Sequence, residues 1–128
     1  MLNNIFQLAF DHPTEFEANS NIKKYFSIAI EQIDDKNPGL LINAINNLQK
    51  SIEYFPLTME ECLSSILDKT VSVFETRRGE LIAVASKMLN RLYARFDLNK
   101  IIKEYLKLLV GNSKPKVEII NQLIVLLR

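Results

Sequence analysis

Tryptophan is absent from this chain, and histidine and cysteine occur once each, as His12 and Cys62. A single cysteine excludes an internal disulfide framework and fits a reducing compartment. One histidine and one cysteine, with no identifiable third group to orient them, do not make a nucleophile–base pair. The sequence also has no ligand spacing for a metal and no glycine-rich phosphate loop. No catalytic residue, metal ligand or cofactor-binding residue is therefore assigned, no cofactor is expected, and the chain reads as a non-enzyme.

Excess charge of one sign is missing too. Sixteen basic residues face 15 acidic ones for a net charge of +1, which argues against a nucleic-acid partner. No apolar run approaches ~18 residues, so no segment is expected to span a membrane. The opening "MLNNIFQLAFDHP" has neither a basic n-region nor a small-residue cleavage site, unlike a secretory signal. A cytoplasmic location is the expectation. The three glycines and four prolines are too few for a sheet protein full of tight turns.

What is present is ordinary globular composition, 48% apolar and 24% charged, arranged with helical periodicity nearly throughout. Leu2, Ile5, Phe6, Ala9 and Phe10 give a short helix that stops before Pro13. Thr14 and Glu17 read as a capping box opening a helix with the stripe Ile22, Tyr25, Phe26, Ala29 and Ile33. "DDKNPG" (34–39) breaks it, and Leu41, Ala44, Ile45, Leu48, Ile52 and Phe55 form the next stripe. Thr58 and Glu61 read as a second capping box, with Leu57 and Cys62 as its hydrophobic staple, before Leu63, Ile66, Leu67, Val71 and Phe74. "ETRRGE" (75–80) precedes Leu81, Ala85, Met88, Leu92 and Phe96. Asp97 opens a helix through Ile101, Ile102, Tyr105 and Leu109, and "GNSKPK" (111–116) precedes Val117, Ile120, Leu123, Ile124 and Leu127.

The breaks near Pro38, Gly79 and Pro115 recur roughly every 40 residues, with other breaks at Pro56 and Asp97 between them. This spacing predicts an all-α chain, residues 1–128 as one domain. The expected architecture is a HEAT-like α-α superhelix of about three helical hairpins plus an N-terminal partial repeat, with a helical bundle as the competing arrangement. In such an array the three turns share one edge. The last helix ends on Leu126, Leu127 and Arg128 without a polar capping helix. The expectation is either a piece of a longer array or a last helix covered by a partner or, in self-association, by the C-terminal helix of a second copy.

"IKKYFSIAIEQIDDKNPGLLINAINNLQKSI" resembles the HEAT repeats of TOG domains, found in microtubule polymerases and CLASP-type proteins. "VSVFETRRGELIAVASKMLNRLYARFDLNKIIKEYLKLLVGNSKPKVEIINQL" is similar to the two repeats that follow. The "DxN" turn is matched at Asp35 to Asn37 and the "xKPKV" turn at Lys114 to Val117, the likeness covering residues 20–128 as a partial array. The resemblance implies a protein-binding module with αβ-tubulin as partner and a cytoskeletal location. Its tubulin-facing positions would be Lys36, Asn37, Arg77, Arg78, Lys114 and Lys116. A generic HEAT scaffold in another cytoplasmic complex is the alternative, and a helical-repeat enzyme acting on nucleic acid the third reading.

Arg77 and Arg78 also read as caps at a helix C-terminus, where cations meet the macrodipole favourably. Lys114 and Lys116 do not. They stand at a helix N-terminus, where a cation costs roughly 0.3–1 kcal/mol, so removing their charge is expected to leave the fold unchanged or slightly more stable.

Overall fold

The computed structural model describes residues 2–18, 21–34, 37–111 and 114–127, and among them there is no strand. The helices are α1 (Leu2–Asp11), α2 (Pro13–Ala18), α3 (Asn21–Gln32), α4 (Pro38–Tyr54), α5 (Pro56–Glu61) and α6 (Leu63–Ser72). A 3-10 turn, Val73–Thr76, leads to α7 (Gly79–Arg95), α8 (Leu98–Val110) and α9 (Lys116–Leu126). None of the described helices is long and apolar enough to cross a membrane.

Local chemistry sets several of these boundaries. Asn37 takes an extended conformation and its side-chain oxygen accepts from the Gly39 N–H at 2.9 Å, while Pro38 supplies a preset φ at the first helical position of α4. Asp97 caps α8 in the same way, accepting from the Asn99 N–H at 3.3 Å. Neither expected capping box forms. Thr14 lies inside α2, and α3 starts afresh at Asn21, so the helix anticipated from Thr14 to Ile33 is two helices. Pro56 starts α5 two residues before Thr58, leaving Thr58 buried within the first turn rather than at the cap. Phe55 is the cap residue instead and is drawn wholly into the core, while Leu57 points to solvent and Cys62 joins α5 to α6, so no staple forms.

Apolar residues at three- and four-residue spacing then decide the packing. Leu41, Ala44, Ile45, Leu48 and Ile52 bury one face of α4, and Leu81, Ala85, Met88, Leu89 and Leu92 one face of α7. These two helices make the most extensive contact in the molecule. α3 packs on α4 and touches α6, α6 packs on α8, and α9 lies on α8 and α6. The chain thus alternates between a row containing α3, α6 and α8 and a row containing α4 and α7. At the N-terminal end Phe6, Phe10, Phe26 and Phe55 form an aromatic cluster that fixes α1 to α3 and α4.

One core position works against stability. Thr70 is fully buried on α6, and its hydroxyl has no hydrogen-bond partner among the described residues. An unsatisfied buried hydroxyl costs about 1–3 kcal/mol, and valine has nearly the same shape. Thr70→Val should raise the unfolding free energy by about 1 kcal/mol, seen as a higher urea midpoint at unchanged slope.

Candidate functional site

The three turns expected to share an edge do meet at one place. A depression of about 480 Å³ is lined by Asp34 from the first turn, Glu75 from the second, and Lys114 and Pro115 from the third, with Asp68, Lys69 and Ser72 of α6 between them. Its charge is mixed rather than basic: three carboxylates face two lysines, and Lys69 is paired with Asp34.

The six candidate positions differ in what they do. Lys36, like Asp35 of the quoted motif, lies outside the described residues. Asn37 has its side chain engaged as the cap of α4. Arg77 adopts the left-handed conformation, φ 57°, which a non-glycine residue enters at a cost of about 1–2 kcal/mol. Around it Thr76 holds the turn, its hydroxyl donating to the Val73 carbonyl at 2.7 Å and accepting from the Arg78 N–H at 3.3 Å. Arg78 does not close the preceding helix. It is the residue that opens α7, and its Nη2 donates to Glu80 Oε1 at 3.3 Å. Lys114 is exposed, and like the Arg77 guanidinium it has no side-chain partner among the described residues.

Lys116 has a different task. Its Nζ donates to the carbonyls of Leu109 at 2.9 Å and Gly111 at 3.2 Å, the unsatisfied oxygens that end α8. The lysine at the start of α9 is therefore a C-cap for the helix before it, which offsets the unfavourable dipole of its own helix. Contrary to the sequence expectation, removing it should cost stability. Lys116→Met should lower the unfolding free energy by about 1 kcal/mol, while Lys114→Met stays within about 0.5 kcal/mol of the parent in the same urea titration.

A second surface lies on α8 and α9. On α9, Ile119 and Leu123 are buried, yet Val117 (68% exposed), Ile120 (46%), Ile124 (51%) and Leu127 (70%) face solvent. Those four were expected to share one core stripe with Leu123; only Leu123 packs inward. They follow a three-four-three spacing, the a/d seam of two heptads, with β-branched residues at the first and third positions. On the outer face of α8, Leu106 (49%) and Val110 (89%) are also uncovered.

The inner face of α9 is fixed by a polar chain that periodicity alone does not reveal. The hydroxyl of Tyr93 on α7 lies 2.5 Å from that of Tyr105 on α8 and donates to Gln122 Oε1 on α9 at 2.7 Å. Burial pushes the Tyr93 phenol up to about 12, and burial with the adjacent Tyr93 pushes the wholly enclosed Tyr105 higher still. Both stay neutral at ordinary pH. They tie three helices together and set which side of α9 faces water.

Elsewhere, burial pushes the half-buried Cys62 thiol up, the opposite of what an activated nucleophile needs. Among the described residues no cluster of three histidine, cysteine or carboxylate side chains could hold a metal ion. No protein-family model, curated protein or solved structure matches the chain. The likeness to TOG-type repeats therefore rests on the quoted motifs. What fold and surface define together is a chain that is helical among its described residues, with exposed apolar side chains on the outer sides of its last two helices.

Proposed function

We propose that this chain is a protein-binding helical module that docks its partners on the outer surface of α8 and α9. The observation that carries the reading is α9 itself, where Val117, Ile120, Ile124 and Leu127 stay exposed beside the packed Ile119 and Leu123. Uncovered apolar surface of this extent on a folded domain marks an interaction site. The alternation of helix rows supports a HEAT-like scaffold, the role in which such surfaces are used.

Self-association is the simplest use of the seam, because an a/d stripe is complementary to a second copy of itself. The sedimentation coefficient of the isolated chain should rise with concentration, and added salt should not reverse the rise, since apolar contacts are not screened. A strict monomer over the whole concentration range removes self-association from the reading.

Tubulin docking at the turn edge is the second reading, favoured by the convergence of three turns on one depression whose Lys114 has no side-chain partner among the described residues. Because the lining is mixed in charge, an acidic partner would have to be held by Lys114 as an individual contact rather than by a net field. Co-elution with αβ-tubulin on a sizing column, weakened by Lys114→Glu with Arg77→Glu, supports it. Separate elution at low salt removes it.

A further inference from the structure

The outer face of α8 combines two kinds of surface on one open side of the helix. A depression of about 490 Å³ is lined by Lys103, Leu106, Lys107, Val110 and Gly111. Leu106 and Val110 are four residues apart, and so are Lys103 and Lys107. The helix therefore presents an apolar row and a cationic row side by side, each repeating once per turn. Lys103 has no side-chain partner among the described residues, and Lys107 meets only Glu104, at 3.5 Å from a largely exposed position. Such a pair holds its partners weakly, so both ammonium groups are available.

We propose that this face of α8 pairs with an amphipathic helical segment of another protein, with apolar side chains one turn apart flanked by a row of aspartates or glutamates. The inference rests on the reading of α8 and α9 as the docking surface and adds the chemistry of the partner. The apolar row fills with the partner's aliphatic side chains, and the lysine row selects carboxylates and sets orientation.

Other occupants fit less well. Nucleic acid offers nothing to the apolar row. A lipid surface needs a broad cationic face, yet Lys100 on the same helix is held by Glu60 at 2.7 Å, and Asp97 and Glu104 flank it. A second copy would bring the α9 stripe, whose helix carries one carboxylate, Glu118, instead of a row.

The test uses the full chain and a fluorescein-labelled, helix-stabilised synthetic peptide with leucines one turn apart and glutamates beside them, read by anisotropy. Binding is expected. It should weaken at least about tenfold in Lys103→Glu with Lys107→Glu, and likewise between about 50 and about 300 mM salt. A peptide with lysine in place of each glutamate should not bind. If the lysine peptide binds equally well, or the double charge reversal leaves affinity unchanged while Leu106→Asp with Val110→Asp abolishes binding, the acidic partner is wrong and apolar docking stands. If neither peptide binds, the acidic-segment proposal is wrong whatever the sedimentation result, which tests docking independently. If phosphatidylserine vesicles bind with the same lysine dependence and the peptide does not, the surface reads lipid and the proposal is overturned.

Discussion

Phe26→Ala should lower the unfolding free energy by about 3–5 kcal/mol, the usual cost of deleting a fully enclosed phenylalanine. The ring has no exposed surface, stacks on Phe6 at 6.0 Å and meets Phe55 edge-on at 6.3 Å. It therefore sits where α1, α3 and α4 converge. A domain of this size is stable by about 5–15 kcal/mol, so the loss is roughly a fifth of the total or more. Amide exchange should rise first in α1, whose attachment to the rest runs mainly through these rings. A cost below about 1 kcal/mol would mean that the aromatic cluster does not hold α1 in place.

Raising the pH should destabilise the fold steeply once free tyrosine begins to ionise. Tyr93 and Tyr105 both have phenols raised above the ordinary value near 10, Tyr93 to about 12 and Tyr105 beyond it. The folded state keeps protons that the unfolded state releases, so their contribution is complete below about pH 10 and declines above it. The slope is about 1.4 kcal/mol per pH unit for each tyrosine, with that of Tyr93 ending near pH 12. Lys23, raised by its hydrogen bond and charge pairing with Glu61, acts in the same direction from a fully exposed position. Tyr105→Phe isolates the phenol effect, since it should remove one of the two slopes in urea titrations between pH 9 and 12. An unchanged slope in that variant would mean that Tyr105 already ionises as it does in the unfolded chain.

Much of the fold can be read from periodicity alone, because the stripes on α4, α6 and α7 each have a single apolar side. Asn37 and Asp97 are legible as helix starts for a local reason: the cap bonds reach only two residues along the chain. The two threonine capping boxes mislead because a proline upstream of each begins its helix earlier, and a pattern match does not weigh the two signals. α9 is illegible in another way. With two apolar stripes side by side, Ile119/Leu123 and Val117/Ile120/Ile124/Leu127, its sequence does not say which one packs, and the answer lies in Tyr93 and Tyr105, 29 and 17 residues before the Gln122 that the Tyr93 hydroxyl reaches.

The lysine at position 116 shows the same limit. Its charge looks misplaced along its own helix and makes sense only where the end of α8 comes within reach of its ammonium group. Arg78 is the converse, a cation that reads in the sequence as closing one helix and in fact opens the next. Of the six turn positions singled out from sequence, Lys36 lies outside the described residues and the local structure accounts for Asn37, Arg78 and Lys116, while the side chains of Arg77 and Lys114 have no partner among the described residues.

The central claim is that the outer stripe of α9 serves binding and is not needed for folding. Sedimentation velocity of Ile120→Asp with Ile124→Asp, beside the parent chain at matched high concentration, tests it most directly. The account predicts a folded monomer whose urea midpoint, measured dilute, lies within about 0.5 kcal/mol of the parent, while the parent sediments as a larger species. A variant that associates as the parent does, or that loses about 2 kcal/mol or more of stability, would contradict it.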